Sequence, residues 1–342
     1  PQQVFKEASS SILNFNNLNL SLIEISHRSA DFVAVMEEAV QLVKELLEVP
    51  SDYSVLFLQG GASTEFLMVA NNLMKVGGKA GYLDTGTWST KAIKEAKLFG
   101  DTTILASSKD KNYSYIPKDY VIPSDLDYFH CTSNNTIFGT QIKAFPITDV
   151  ITVCDMSSDI FSKKIDISKF DLIYAGAQKN LGPAGTTLVI VKDEILGHTG
   201  REIPTMLDYK THIAKDSMFN TPPVFPIFVS MLTMRWLKEN GGVHWIEKIN
   251  KQKADLIYQT IDNSSIFEGS ANVEDRSTMN ATFLLTNTEL EEEFNKMCAN
   301  CGINGLKGHR SVGGYRASMY NAMPLESIQA LVEIMNELER KA

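Results

Sequence analysis

The sequence predicts an α/β fold in which a mostly parallel sheet, covered by helices on both faces, is followed by a smaller α+β unit. Three observations carry that expectation. Apolar runs of strand length at 55–58, 80–83, 102–105, 128–130 and 150–154 alternate, in the first part, with stretches of helical periodicity. Turns rich in glycine or small polar residues follow these runs, at the strand ends where such sheets place their ligands. Beyond the helical stretch 243–261 the pattern changes to a strand at 279–285, a charged helix at 289–299, a strand at 313–320 and a closing amphipathic helix at 325–340.

In chain order, residues 1–25 are rich in Asn and Ser, carry a short helical pattern at 2–13, and form an arm that needs a surface to lie against. Ser29 is placed to cap a helix at 30–48, where Phe32, Val33, Met36, Val40, Val43 and Leu47 recur at helical spacing before Pro50. His27 and Arg28 thus stand at a helix start, a position that a surface turn would fill equally well. After the strand at 55–58, Gln59-Gly60-Gly61-Ala62-Ser63-Thr64 opens a helix whose apolar positions include Phe66, Leu67, Val69 and Leu73. Backbone N–H groups at such a helix start attract an anion, so this turn is either structural or a phosphate cradle. It has neither the dinucleotide-binding glycine spacing nor the lysine of a P-loop.

Asp84-Thr85-Gly86-Thr87-Trp88 follows the strand at 80–83 and leads into a helix reaching residue 99; Trp88 is either core or a face for a flat ring. Residues 109–127 form a long polar connection, and Thr132-Ser133-Asn134-Asn135-Thr136 makes a polar turn after the strand at 128–130. Asp155 directly follows a buried run, as a turn cap or as the partner of a cation. Lys179 sits within YAGAQKNLGPAG (174–185), between an apolar run and the strand-like 186–191. Its neighbours are glycine, alanine and proline, which permit close approach and partial desolvation. It is either an ordinary loop lysine or an amine of lowered pKa that attacks carbonyls. Pro222 and Pro223 hold Asn220 and Thr221 in extended backbone, ahead of a helix at 225–239 stopped by Gly241-Gly242.

Composition narrows the function classes. At 342 residues, 44% hydrophobic and 21% charged, the chain can bury a large core, and a formal net charge of −9 argues against nucleic acid or an anionic membrane as partner. The absence of a long apolar run or a signal-peptide pattern predicts a cytoplasmic protein. Of the four cysteines only Cys298 and Cys301 form a CxxC; with no second pair or nearby histidines, free thiols are expected and no metal.

Lys179, Asp155, Trp88 and the glycine turn fit the needs of pyridoxal 5'-phosphate: an amine for its aldehyde, a carboxylate for its ring nitrogen, an aromatic for its ring and a helix start for its phosphate. Together with EISHR, GYLDTGTWSTKAIKEAK, FNTPP and LKGHRSVGGYRASMYNAMPLE, the chain resembles the phosphoserine aminotransferase family of class-V, fold-type I enzymes, from Glu24 to Glu326. The resemblance implies a large domain at 26–248 with a seven-stranded sheet, a small domain at 249–342 and an arm at 1–25. It implies that Lys179 holds the cofactor as a Schiff base, Asp155 pairs with the pyridine nitrogen, Trp88 stacks on the ring, Thr136 touches the cofactor, and Ala62, Ser63 and Gln178 hold its phosphate. Asn220 and Thr221 would reach the phosphate of a neighbouring subunit, which implies a homodimer with shared sites.

For substrates the resemblance implies 3-phosphohydroxypyruvate and L-glutamate, giving O-phospho-L-serine and 2-oxoglutarate in serine biosynthesis, with a second activity through 4-phosphohydroxythreonine in pyridoxine synthesis in some members. Arg316 would anchor the α-carboxylate, and His27, Arg28, His309 and Arg310 the distal anion. A transaminase using glyoxylate with serine or alanine is the competing enzyme, but those substrates lack a distal anion for the two His-Arg pairs. A ligand-binding relative without catalysis would not need Lys179, Asp155 and Arg316 together. Two departures from the family pattern, Ser63-Thr64-Glu65 and Asn134-Asn135-Thr136, fall near the cofactor positions, and the glycine- and proline-containing segment that opens many members lies outside this sequence.

Overall fold

The computed structural model describes residues 1–310 and 312–342. The chain runs through α1 (Gln2–Leu13), α2 (Ala30–Leu47), β1 (Tyr53–Leu58), α3 (Gly61–Leu73), β2 (Lys79–Asp84), α4 (Thr87–Ala96), β3 (Asp101–Ser107) and β4 (Tyr128–Thr132). A two-residue pair, β5 (Asn134–Asn135) and β6 (Thr140–Gln141), precedes β7 (Thr152–Asp155), β8 (Leu172–Gly176), β9 (Thr187–Lys192), α5 (Tyr209–Ile213), α6 (Val224–Glu239) and α7 (Gly242–Asp262). The C-terminal part holds β10 (Phe267–Gly269), β11 (Asn280–Leu285), α8 (Glu291–Asn300), β12 (Tyr315–Ser318) and α9 (Leu325–Lys341).

Among the described residues the central sheet has seven strands in the order β1-β9-β8-β7-β4-β2-β3. It is mostly parallel, as predicted. β9 alone runs against its neighbours, β1 and β8. Both faces are covered, so β4, β7 and β8 are buried along their whole length and read as continuous apolar runs. One core layer joins Phe32, Val43, Phe57 and Phe129 to Phe228 and Leu232; the other joins Phe66, Met68 and Ile93 to Tyr82 and Tyr174. A second, antiparallel sheet of β10-β11-β12 packs Phe283 and Tyr315 against Ile257, Phe294 and Met335.

The N-terminal segment finds its surface on α6: Val4 and Ala8 are buried, and Phe15 meets Phe228 edge-on at 5.5 Å. Ser29 caps α2 by accepting the Phe32 N–H, and α2 ends at Glu48 in the left-handed conformation. The expected strand at 313–320 is confined to Tyr315–Ser318, because Gly313 and Gly314 adopt φ of +74° and +57°. The helix expected at 289–299 begins at Glu291 after one 3-10 turn, and α4 stops at Ala96. The expectation of free thiols fits: Cys298 is buried, Cys301 exposed, and neither is bonded. Among the described residues no helix is long and apolar enough to cross a membrane.

Candidate active site

The antiparallel β9 explains where Lys179 stands. β8 and β9 are joined as a hairpin whose last pair is Gly176 and Thr187, and Lys179 lies in the connection. The Leu181 and Gly182 N–H groups both return to the Ala177 carbonyl, at 3.2 and 2.8 Å, closing a helical turn around the lysine. Its Nζ donates to Thr136 Oγ1 at 2.9 Å and lies 5.7 Å from the centre of the Trp88 ring. Burial lowers the pKa of this amine; the Asp155 carboxylate opposes the shift and the Arg316 charge adds to it.

Asp155 closes β7, between Thr132 of β4 and Tyr174 of β8. One carboxylate oxygen accepts the Ser157 N–H at 2.9 Å. Burial raises its pKa, against the pull of the Ser157 hydrogen bond and of Lys179. Among the described residues no lysine or arginine pairs with it within ion-pair distance. A buried carboxylate held this way at a cavity wall is suited to a cationic ligand atom.

The glycine turn between β1 and α3 depends on Gly60. Its φ is +99°, and a Cβ there would fall on the Thr64 side chain, so no other residue fits without displacing α3. α3 has no side-chain cap and no acidic residue in its first turn, which leaves its N-terminal amides available to an anion. Ala62, Ser63, Trp88, Asp155, Gln178 and Lys179 all line one cavity of about 150 Å³, completed by Gly61, Thr132, Asn134, Ser157 and Ser158. Trp88 Nε1 and Thr132 Oγ1 are buried here without a hydrogen-bond partner. Unpaired polar atoms, a carboxylate, a lysine and a bare helix start around one small space fit a flat, phosphorylated, nitrogen-containing ring.

The other sequence candidates lie outside this cavity. Asn220 borders a separate hollow with Gln59, Gly60 and Thr64, and the Thr221 carbonyl accepts from Gln59 Nε2 at 2.6 Å; both residues are exposed. Arg28, His309 and Arg310 are exposed, and His27 is half-buried with Nε2 unpartnered. Arg316 projects from β12 opposite Thr282; its Nε is buried and unpartnered, and its charge acts on Lys179. Of the two departures from the family pattern, Glu65 meets Tyr209 at 2.5 Å, away from the cavity, and Asn135 bonds Thr85 and Thr140. Thr132, Asn134, Ser157 and Ser158 had only one signal in the sequence, their place in polar turns after predicted strands.

This fold, with a partly buried lysine and a carboxylate lining one cavity at a helix start, is one that suits an aminotransferase. Residues 1–331 match the family model Aminotransferase class-V, and the chain belongs to that family. A phosphoserine aminotransferase from Flavobacterium psychrophilum is 67% identical over 342 residues, covering 100% of this chain and 96% of the relative. The phosphoserine aminotransferase from Bacillus circulans subsp. alkalophilus superimposes with a TM-score of 0.97 at 46% identity, over 100% of this chain and 96% of that one. That of Trichomonas vaginalis, with pyridoxal phosphate bound, gives 0.93 at 33% identity, over 98% of this chain and 96% of that one. Within the class-V family, the chain groups with the phosphoserine aminotransferases.

Proposed function

We propose that the enzyme uses pyridoxal 5'-phosphate to transfer the amino group of L-glutamate to 3-phosphohydroxypyruvate, forming O-phospho-L-serine and 2-oxoglutarate. The observation that carries this reading is the Lys179 amine, held by Thr136 and facing the cavity it shares with Asp155 and Trp88. When bound, the cofactor supplies an electron sink for the pair left on a substrate carbon that loses its proton. Lys179 would hold it through Nζ, Asp155 would pair with its ring nitrogen, Trp88 would cover the ring, and Ala62, Ser63 and Gln178 would take the phosphate.

The chain's own residues then divide the work. Lys179 Nζ, kept neutral more readily by burial, takes the proton from the substrate's α-carbon and returns one at the end of the transfer. Arg316 offers a planar fork for the α-carboxylate, which both substrates carry. His27 and Arg28, with His309 and Arg310 of a second copy, would gather the distal phosphate or carboxylate. An acidic chain thereby concentrates cations where substrates with two anionic groups dock.

Asn220 and Thr221 are exposed and lie away from their own subunit's cavity, which supports a homodimer in which they complete the neighbouring site. The separate cores of the two sheets support a large unit at 26–248 and a small one at 249–342, with 1–25 as an arm. A cytoplasmic location accords with a biosynthetic transamination. A coupled assay with glutamate and each candidate keto acid tests the proposal: turnover of phosphohydroxypyruvate is expected, and turnover of glyoxylate alone would overturn it. The phosphorylated 2-oxo acid that transamination would convert to 4-phosphohydroxythreonine, which carries the same pair of anionic ends, belongs in the same assay as the second keto acid.

A further inference from the structure

Three buried asparagines donate to three consecutive carbonyls. Asn180 Nδ2 reaches the Ile160 carbonyl at 3.1 Å, Asn321 Nδ2 that of Phe161 at 2.9 Å, and Asn250 Nδ2 that of Ser162 at 3.0 Å. They also hold one another: the Asn321 N–H donates to Asn180 Oδ1 at 3.0 Å, and Asn250 Nδ2 donates to Asn321 Oδ1 at 2.9 Å. The three carbonyls belong to the turn that follows Asp155 and supplies Ser157 and Ser158 to the cavity. Within it Phe161 has a φ of +59°, a left-handed conformation that a residue with a Cβ keeps only where its surroundings enforce it. Asn321 lies in the segment after β12, which is itself rigidly set. Lys253, fully buried, donates there to the carbonyls of Met319, Tyr320 and Met323, each at 3.0 Å.

We infer that Asn180 is a positioning residue: its side chain ties the Lys179 turn to the turn after Asp155 and to the segment after β12, and so sets the amine against Arg316. The assignment follows from where each bond goes. Asn180 is the neighbour of Lys179 inside the helical turn closed on the Ala177 carbonyl, so the two side chains leave one short, bonded stretch of backbone. Its oxygen holds Asn321, five residues beyond Arg316, and its nitrogen holds Ile160, five residues beyond Asp155. Alanine in its place would leave the Asn321 N–H and the Ile160 carbonyl unpaired in the interior, and the lysine's turn free to shift. Asn250 braces the same carbonyl turn and the Asn321 side chain but has no bond to the turn of the lysine. Around Lys179 Nζ, burial acts together with the charges of Asp155, Asp159 and Arg316. A turn that shifts lets water reach the amine and undoes part of the lowering that burial causes. The meaning for catalysis rests on the proposed transamination; the bonding of Asn180 does not.

The first test is the pH profile of Lys179 acetylation in the apoprotein, read by competitive labelling with acetic anhydride and peptide mass spectrometry. Asn180→Ala should raise the midpoint by about half a pH unit or more as the amine gains water. Asn250→Ala, which also loses two buried bonds, should unfold at lower urea yet keep the wild-type midpoint. The second test reads the holoenzyme. Asn180→Ala should raise KM for glutamate and for phosphohydroxypyruvate by about threefold or more, and should add nothing to KM in the Arg316→Ala background. An unchanged midpoint or KM in Asn180→Ala, the same midpoint shift in Asn250→Ala, or a KM effect that persists without Arg316 overturns the inference. Wild-type protein that takes up no pyridoxal phosphate would refute the proposed function separately, because the labelling needs no cofactor and still decides whether Asn180 places the amine. Should Asn180→Ala fail to fold by circular dichroism, Asn180→Ser, whose single hydroxyl replaces at most one of the two bonds, is read against the same expectations.

Discussion

Glu65→Gln tests how a carboxyl group is accommodated in the interior beside the glycine turn that opens α3. Glu65 is 0% exposed, its Oε2 lies 2.5 Å from the Tyr209 hydroxyl, and its Oε1 is buried with no partner. Burial pushes its pKa up to about 8, opposed by the Tyr209 hydrogen bond, whereas an unburied glutamate titrates near 4.5. Between these values the folded protein keeps a proton that the unfolded chain releases. The stability associated with this group is therefore full below about pH 4.5 and falls as pH rises, by about 1.4 kcal/mol per unit, until it levels off above about pH 8. The accumulated loss is about 1 kcal/mol at pH 5.5 and about 3 kcal/mol at pH 7. Glutamine keeps the volume and a hydrogen bond to Tyr209 but has no proton to lose. Any fixed cost of refitting the amide is independent of pH, so the change with pH isolates the carboxyl. Urea unfolding of the apoprotein should show the variant gaining on the wild type by about 2 kcal/mol between pH 5.5 and pH 7. Parallel pH dependences of the two proteins would refute a protonated Glu65.

Lys179→Ala should fold, by circular dichroism, and show no transamination; substantial turnover would remove Lys179 from its proposed role. Asp155→Asn retains size and the acceptor for Ser157 but not the charge, and kcat should fall by about 100-fold or more, the usual effect of losing a preorganised charge. Arg316→Ala should raise the apparent KM for amino donor and acceptor alike, so a change confined to one of them would count against a shared carboxylate anchor. Lys253→Met leaves three carbonyls without their donor and should destabilise the protein by about 3 kcal/mol in urea unfolding, an effect that is absent if water replaces the amine.

Much of the site was legible because each of its residues sits at a punctuation mark of the local pattern. Asp155 ends an apolar run, Trp88 opens a helix after Gly86, and Ser63 follows two glycines; such positions in an α/β sheet converge on the strand ends whatever the rest of the chain does. Short elements escaped notice. β10 and α5, at three and five residues, are too brief to show a period, and α5 owes its position to Tyr209 meeting Glu65. Glu65 itself could not be placed from sequence, because helical spacing sets it one turn from Ala62, Met68 and Val69, but only packing decides that its carboxyl turns into the core.

The sequence by itself determined the class of fold, the lysine at its centre and the residue types around it, since periodicity and turn chemistry are local properties that survive without knowledge of partners. Tertiary structure alone decided the reversal of β9, which makes a hairpin of the Lys179 segment, the Thr136 hydroxyl that meets its amine, and the approach of Asn280 to Asn134 at the cavity wall. Those contacts join residues far apart in the chain. Their geometry is set by the packing of two sheets against each other, for which no local pattern carries a signal.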